Sequence, residues 1–413
     1  MFQKEEKTGV GWIRFLRILW LAVLLAAVWC SGSFAPRFCL AAGLGTDAGP
    51  GGRPHNIYTE AGLAQETERI LEGMALEEKV YQLFIITPEA LTGSPFVTTA
   101  DEGTRKSLEQ YPVGGLVYFS KNLVNPSQAA EMLQGVMAYS WQIEGLPLFT
   151  CIDEEGGRVA RIGGNKAFGV DAVGSMRDIK SVEEAFEAGK TIGSYLARLG
   201  FNLDFAPDAD VLDNGKGQVI GDRSFGDDPE RVTQMAAAVS EGLHSQGVLS
   251  TFKHFPGHGA ASGDTHEGFA YTDKSYGELL ERELKPFMAA GERGVDAVMA
   301  AHISLPGVTG DNTPCTMSRQ MLTEVLRGDL GYEGLIVTDA LNMGAITKNY
   351  TSAEAAVGAL EAGADLLLMP QDFHQAAEGV LGAVLEGKIS QERIDQSVRR
   401  IIRAKLQWSV MEQ

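Results

Sequence analysis

Residues 248–259 read Val-Leu-Ser-Thr-Phe-Lys-His-Phe-Pro-Gly-His-Gly, an apolar run that ends in charged and titratable groups. The start of the run is rich in bulky and β-branched residues, which is typical of a buried strand. Lys253 and His254 follow it, and proline and glycine then turn the chain into a loop. Asp264 and His266 come a few residues later. Titratable groups at the end of a strand and on the loop that follows are typical of the active site of an α/β barrel.

Seven further apolar runs of similar length occur along the chain. With the first, they occupy 82–87, 115–119, 147–153, 201–207, 248–254, 297–303, 335–340 and 364–369. Amphipathic helical patterns lie between most of them, including 182–199, 229–246, 276–293 and 352–362, and a last one covers 389–408. Continuously apolar strands that alternate with helices predict a parallel sheet covered on both faces. Eight such units predict an α/β fold of the (β/α)₈ TIM barrel type. A doubly wound open sheet is the alternative, but it usually has fewer strands, and no glycine-rich dinucleotide fingerprint follows the first run.

The N-terminal segment has the pattern of a targeting signal. A basic region from Lys4 to Arg17 overlaps the start of an apolar stretch at 16–29, and Leu40-Ala41-Ala42 resembles a signal-peptidase site. We therefore predict a signal peptide over 1–42, with an uncleaved membrane anchor as the alternative. Gly-rich residues 43–60 are interpreted as a linker, and 61–413 as a single catalytic domain.

Charge and cysteine content limit the class of protein further. The chain has a net charge of −19, and residues 1–42 carry five basic and two acidic side chains, so the remainder has a charge of −22. An acidic surface argues against nucleic acid and anionic lipid as partners, which leaves a membrane contact only through the N-terminal segment. Cys30 and Cys39 fall in the predicted signal. Cys151 and Cys315 remain, which is too few for a disulfide framework, and Cys151 is predicted to be a buried thiol.

Polar residues follow most of the strand-like runs. They include Asp153-Glu154-Glu155 with Arg158 and Arg161 after the third run, Asp208 and Arg223 after the fourth, Lys253 and His254 in the fifth, His302 in the sixth, Asp339 in the seventh, and Asp372 after the eighth. One such group is compatible with a structural ion pair. A barrel rim that is polar on most strands indicates an active site instead.

Five ordered motifs resemble one enzyme family. They are Asp-Glu-Glu-Gly-Gly-Arg-Val from 153, Gly-Asp-Arg-Ser-Phe from 221, Lys-His-Phe-Pro-Gly-His-Gly from 253, Asp-Thr-His from 264 and Thr-Asp-Ala-Leu-Asn-Met from 338. Together they resemble the catalytic domain of glycoside hydrolase family 3 over about residues 65 to 405. The Asp-x-His element is similar to that of its β-N-acetylglucosaminidase branch.

The resemblance implies a role for each matching residue. Asp339 would be the nucleophile, and His266, held by Asp264, would be the acid/base. Asp153, Arg161, Arg223, Lys253 and His254 would bind the sugar in the −1 subsite. No cofactor is implied, and the partner would be a small carbohydrate, such as a glycoside containing GlcNAc or a muropeptide.

These roles agree with the chemistry of the side chains. A carboxylate such as Asp339 can attack an anomeric carbon and form a covalent glycosyl-enzyme. An imidazole with an ordinary pKa near about 6.5 can donate and then accept a proton near neutrality, and Asp264 could fix the tautomer of His266. The plainer alternatives are an aspartate that accepts backbone hydrogen bonds, a solvated loop histidine, and a salt-bridge network on the rim. His258 and Arg158 are interpreted as structural residues that stabilise their loops, and the role of His302 stays open.

A metal site is a further alternative, because His254, His258, His266 and Asp264 form a histidine-rich group. Pro256-Gly257 prevents a helix that would align His254 with His258, and the spacing matches no familiar zinc signature. We therefore expect no metal.

The N-terminal pattern predicts export, and the family resemblance implies a retaining exo-β-N-acetylglucosaminidase that acts on peptidoglycan fragments. Three alternatives remain open: a β-glucosidase or β-xylosidase of the same family, a GlcNAc phosphorylase, and a non-catalytic muropeptide-binding barrel.

Overall fold

The computed structural model describes residues 59–411, apart from 214–218, 266–267 and 269. The predicted signal at 1–42, all but the last two residues of the predicted linker, and His266 lie outside the described residues.

Ten strands occur in the described part of the chain. They are β1 Phe84–Ile86, β2 Gly115–Val117, β3 Phe149–Ile152, β4 Leu203–Asp204, β5 Thr251–Phe255, β6 Ala270–Tyr271, β7 Ala297–Ala300, β8 Ile303–Ser304, β9 Leu335–Thr338 and β10 Leu367–Leu368. Each of the eight predicted runs overlaps one of the strands β1, β2, β3, β4, β5, β7, β9 and β10, and only β5 extends beyond its run, by one residue. The short strands β6 and β8 pair with each other in parallel and were not separately predicted.

The strands β1 to β5, β7, β9 and β10 form a closed ring. One sheet has the order β10-β1-β2-β3-β4 and another the order β5-β7-β9, and all their pairs are parallel. Parallel bridges between Leu203 and Leu249 and between Val337 and Leu366 join the two sheets at both edges. The predicted (β/α)₈ barrel is therefore confirmed, and an open sheet is excluded because both sheet edges are paired.

Helices surround the ring. They are α1 Glu60–Gly73, α2 Leu76–Gln82, α3 Pro88–Thr92, α4 Glu102–Gln110, α5 Pro126–Glu144, α6 Val182–Leu199, α7 Pro229–His244, α8 Tyr276–Glu281, α9 Lys285–Glu292, α10 Pro306–Thr309, α11 Gly344–Thr347, α12 Ser352–Ala362, α13 Phe373–Leu385 and α14 Gln391–Met411, with a π-helix at Gln320–Asp329. No helix in the described ranges has the length and apolarity needed to cross a membrane.

Local signals explain where α6 and α12 begin and end. Ser181 caps the first turn of α6 by accepting from the backbone N–H of Glu184, and Gly200 ends it with φ 101°. Thr351 forms a capping box with Glu354 at the start of α12. Both helices occupy the predicted ranges 182–199 and 352–362, because caps of this kind are readable in sequence.

The continuous helix predicted over 276–293 is wrong. The chain leaves the helical region at Arg282 (φ −136°, ψ −78°) and resumes as α9. Pro286 has no N–H to donate to the carbonyl of Arg282, and its ring would clash with that carbonyl inside a helix. The proline is accommodated in the first turn of a new helix instead.

Candidate active site

Lys253 lies inside β5 and is fixed by two carboxylates from the loop after β3. Its Nζ is 2.8 Å from Oδ1 of Asp153 and 2.6 Å from Oε1 of Glu155. Burial alone would lower the pKa of Lys253, but the two carboxylates outweigh it and raise that pKa above its usual value. The ammonium therefore stays charged, and Asp153 is oriented towards the end of β5.

Arg223 reaches the same carboxylate from the loop after β4. Its Nε and Nη2 donate to the two oxygens of Glu155 at 2.7 Å each, a bidentate pair. Burial would raise the pKa of Glu155, but the charges of Lys253 and Arg223 lower it strongly. Glu155 is thus an ionised carboxylate that holds two predicted sugar-binding cations in place. Glu155 was not predicted as a site residue, although it lies two residues from Asp153 in the same motif.

His254 is oriented by a second buried aspartate that was not singled out from the sequence. Its Nδ1 lies 2.7 Å from Oδ2 of Asp210, and its Nε2 lies 3.3 Å from Nη2 of Arg223. Because a guanidinium can only donate, this arrangement favours a proton on Nδ1 that is donated to Asp210. The other oxygen of Asp210 accepts from the backbone N–H of His258, which places the start of the loop after β5.

Asp208, Asp210 and His254 are the one group of three side chains in the described residues with the geometry to hold a metal ion. However, Asp210 and His254 bond to each other, and Nη2 of Arg223 lies 3.6 Å from Asp208. Burial and then the charge of Asp210 raise the pKa of Asp208 well above its usual value, which favours its neutral form. A cation beside Arg223 would be repelled, so no catalytic step is assigned to a metal; the expectation of no metal remains a prediction.

Asp339 follows β9 at the same end of the barrel and is half-buried. Its backbone N–H donates to the carbonyl of Ala300 in β7, and its Oδ1 accepts from Ala340 at 2.8 Å. Burial alone would raise the pKa of Asp339, but the neighbouring histidines, His302 first, and the backbone N–H of Ala340 outweigh it and hold that pKa below its usual value. An ionised, accessible carboxylate is what a nucleophile at this position requires.

The loop that carries Asp264 is connected to the segment after Asp339. The carbonyl of Thr265 accepts from the backbone N–H of Ala345 in α11 at 3.1 Å. The hydroxyl of Thr265 lies 3.1 Å from Nε2 of His258. The loop is therefore held between the chain after β5 and the chain after β9. His266 follows Thr265 directly but lies outside the described residues.

The remaining predicted residue, Arg161, lies beside the others. Its Nη2 is 3.8 Å from Oδ2 of Asp153, and its guanidinium lies 5.8 Å from the centre of the Phe119 ring. Arg158 points instead to the loop after β4, where it donates to the carbonyl of Ile220 at 2.7 Å and contacts Asp222 at 3.0 Å. The structure thus brings Asp153, Arg161, Arg223, Lys253, His254, Asp264 and Asp339 to one rim.

The rim of this closed parallel barrel combines an ionised, accessible aspartate with clustered arginine, lysine and histidine side chains. These features define the class of protein: a barrel with the side chains typical of an enzyme that acts on a polar substrate. Residues 75–404 match the family model described as Glycosyl hydrolase family 3 N terminal domain. The chain belongs to glycosyl hydrolase family 3, which confirms the resemblance seen in the motifs.

Three relatives illustrate how far the similarity extends. Beta-hexosaminidase A of Pseudoalteromonas piscicida is 33% identical over 335 residues, which cover 75% of this chain and 56% of that protein. A beta-hexosaminidase of Pseudomonas aeruginosa is 35% identical over 301 residues, covering 72% of this chain and 86% of that protein. The structure of a family 3 beta-N-acetylglucosaminidase from Paenibacillus sp. superposes with a TM-score of 0.76 at 38% identity, covering 82% of this chain and 63% of that one. The chain therefore spans little more than half of the first relative and most of the second.

Proposed function

We propose that this protein is a retaining exo-β-N-acetylglucosaminidase, a β-N-acetylhexosaminidase that removes terminal β-linked GlcNAc. The name of the curated relatives and the family 3 β-N-acetylglucosaminidase structures support the enzyme class. The single observation that carries the mechanism is the position of Asp339. Its ionised carboxylate lies at the rim near His254 and His258, and the loop of Asp264 and Thr265 is hydrogen-bonded to the chain that follows it.

In the proposed reaction, Asp339 attacks the anomeric carbon and displaces the leaving group. His266 donates a proton to the leaving oxygen, so the aglycone departs as a neutral alcohol. Water then attacks the glycosyl-enzyme, His266 takes its proton, and the Asp339 carboxylate is released with GlcNAc of retained configuration. Asp264 would hold the imidazole through its other ring nitrogen and stabilise the imidazolium.

Asp153, Arg161, Arg223, Lys253 and His254 bind the hydroxyl groups of the sugar in this proposal. A buried sugar needs a fixed partner for each hydroxyl that loses water. Because Glu155 fixes Lys253 and Arg223, and Asp210 fixes His254, these side chains are already in place before substrate arrives. Such preorganisation lowers the ordering cost of binding.

The proposed substrate is a peptidoglycan fragment with a GlcNAc residue at its non-reducing end. The support is the basic and apolar N-terminal pattern, which would export the enzyme to where cell-wall fragments occur.

Expression in a bacterial host with N-terminal sequencing of the recovered protein tests export. A chain that begins after Ala42 supports a cleaved signal, whereas an intact N-terminus in the membrane fraction supports an anchor and in the cytoplasm contradicts export.

The activity is tested with paired chromogenic glycosides of GlcNAc and glucose. We expect hydrolysis of the GlcNAc glycoside with retention, and a loss of at least about 10³-fold in Asp339→Ala. Asp296→Ala is the matched control, because it removes a half-buried carboxylate from the opposite end of the barrel. Its specific activity should stay near that of the wild type.

Each other outcome of this assay points to one alternative. Preferred cleavage of the glucoside indicates a β-glucosidase, and formation of a sugar phosphate in phosphate buffer indicates a phosphorylase. Binding of GlcNAc without turnover of either glycoside indicates a non-catalytic barrel. Residual activity of wild-type size in Asp339→Ala contradicts its role as the nucleophile.

A further inference from the structure

Glu154 follows Asp153 at the end of β3, and its side chain is completely buried. The carboxylate accepts four hydrogen bonds. Oε2 accepts from the backbone N–H groups of Arg161 at 2.6 Å and Ile162 at 2.9 Å. Oε1 accepts from the backbone N–H of Gly163 at 2.7 Å and from the hydroxyl of Tyr195 at 2.8 Å. Three consecutive backbone donors are thus gathered on one side chain.

These bonds fix the two ends of the segment 153–163, which carries two of the proposed sugar-binding side chains. Asp153 is the chain neighbour of Glu154, whose own backbone N–H donates to Oδ1 of Asp204 in β4 at 2.9 Å. Arg161 is held through its backbone N–H by the carboxylate itself. The relative position of Asp153 and Arg161 therefore depends on Glu154.

Tyr195 connects this carboxylate to the outer layer of the barrel. It lies in the last part of α6 and is buried. Burial and then the charge of Glu154 raise the pKa of Tyr195, so its hydroxyl keeps its proton and remains a donor. A hydrogen bond to an ionised group is stronger than one between neutral groups. The loop is consequently anchored to α6 in the outer layer of the barrel.

We propose that Glu154, together with Tyr195, is a positioning residue that sets where Asp153 and Arg161 meet the sugar. Neither side chain touches the substrate. Their effect on catalysis passes through the geometry of the 153–163 segment, where a displacement of about 1 Å is enough to cost a large part of the rate. This inference rests on the proposed function, because it assumes that Asp153 and Arg161 bind a sugar.

A set of double mutants tests the proposal. Tyr195→Phe removes one donor from Glu154 and is introduced into three backgrounds: the wild type, Asp153→Ala and Arg161→Ala. The matched control is Ser397→Ala, which removes a hydroxyl donor at 2.7 Å from Asp365, another completely buried carboxylate, at the opposite end of the barrel. The kcat/KM for a chromogenic GlcNAc glycoside and the Tm are measured for every variant.

We expect Tyr195→Phe to lower kcat/KM by about tenfold in the wild type, and by about threefold or less in each background that already lacks one of the positioned side chains. Ser397→Ala should have the same small effect in all three. A loss from Tyr195→Phe that is unchanged in both backgrounds, or no loss at all, overturns the proposal, because a purely structural role does not depend on Asp153 or Arg161.

A second variant protects the test against a folding failure. Glu154→Gln keeps one acceptor oxygen but places an amide against two of the donors, so it should show a larger loss with the same dependence on background. If the wild type cleaves no N-acetylglucosaminide, the proposed function fails by itself. The affinity of the same set of double mutants for free GlcNAc then still supports or overturns the positioning role.

Discussion

The ionisation of Asp339 depends on the imidazole groups around it. The largest of the effects that lower its pKa comes from His302, whose Nδ1 lies 2.6 Å from the hydroxyl of Thr316 and whose Nε2 lies 3.0 Å from the carbonyl of Ala340. His302→Gln removes that charge. Because the histidine lowers the pKa of Asp339, its loss should raise that pKa and move the acidic limb of kcat/KM to higher pH.

The measurement is the pH dependence of kcat/KM from about pH 3.5 to 8. His244→Gln is the control, because His244 contacts Asp296 at the opposite end of the barrel. An acidic limb that stays in place in His302→Gln, or moves to lower pH, would show that His302 does not act on the nucleophile.

His266 can be tested by the leaving group of the substrate. In His266→Ala, an alkyl glycoside should lose about 10²- to 10⁴-fold in rate, because its leaving oxygen needs a proton. A glycoside with a very acidic leaving group should lose less than about tenfold in its first step, because it departs as an anion. Asp264→Asn should also slow the alkyl glycoside more than the glycoside with the acidic leaving group, with smaller losses for both. Equal losses for both substrates would exclude His266 as the general acid.

At the level of single residues, sequence motifs identify the groups at the rim but not the partners that hold them. Lys253, Arg223 and His254 were predicted from their motifs, whereas Glu155, which holds Lys253 and Arg223, and Asp210, which holds His254, were not. The contacts that reveal these two residues span 68 and 44 positions along the chain. They exist only because the ends of β3, β4 and β5 meet when the barrel closes, so no local pattern encodes them.

At the level of secondary structure, the strands and the capped helices were predictable and the breaks were not. Apolar runs of β-branched residues identified all eight strands of the ring, since a parallel sheet covered on both faces needs such runs. The interruption at Arg282 and the pairing of β6 with β8 were missed. The first depends on a proline whose effect was outweighed by the amphipathic pattern, and the second is a two-residue pair with no periodicity to detect.

The last helix, α14, contacts the barrel through a buried lysine. Nζ of Lys405 donates to Oε1 of Gln82 at 2.7 Å, and Nε2 of Gln82 donates to Glu144 at 2.6 Å. The ammonium also lies 5.3 Å from the centre of the Phe149 ring in β3. Burial lowers the pKa of Lys405 to about 8, with Glu144 opposing the shift. The contribution of Lys405 to the free energy of unfolding should therefore depend on pH.

The sign follows from proton binding. An unfolded lysine has a pKa near about 10.4, so between about pH 8 and 10.4 the unfolded chain binds more protons than the folded protein. Lys405 should therefore make the free energy of unfolding rise with pH in this window, by up to about 3 kcal/mol in total. Below pH 8 its contribution is constant, because both states are protonated.

Denaturant unfolding of the wild type and Lys405→Met between pH 7 and 10.5 checks this expectation. The difference in free energy of unfolding, wild type minus variant, should increase through the window. Lys79→Met is a useful comparison, since Lys79 joins α2 to the same helix through Asp395 at 2.7 Å. It measures what the loss of an ordinary contact between these helices costs. A difference for Lys405→Met that is flat or falls with pH would contradict a lowered pKa.

The charge of the whole molecule predicts how the proposed substrate would respond to salt. The chain carries a net charge of −19. At the rim, the carboxylates of Asp153, Glu155, Asp210 and Asp339 lie among the cations of Lys253, Arg223 and Arg161. A peptidoglycan fragment bears carboxylates of its own, so it should be repelled over distances that salt screens. The Debye length falls from about 30 Å at 0.01 M to about 8 Å at 0.15 M.

We therefore expect kcat/KM for an anionic muropeptide to rise by about two- to fivefold between these two salt concentrations. A neutral chromogenic GlcNAc glycoside should change little, because it has no charge for the field to act on. A fragment whose peptide carboxylates are amidated is the matched control and should behave as the neutral glycoside does. A rate that falls with salt for the anionic fragment alone would mean that the cations of Lys253, Arg223 and Arg161 dominate the field at the rim, and that the acidic character of the chain is confined to surfaces remote from the substrate.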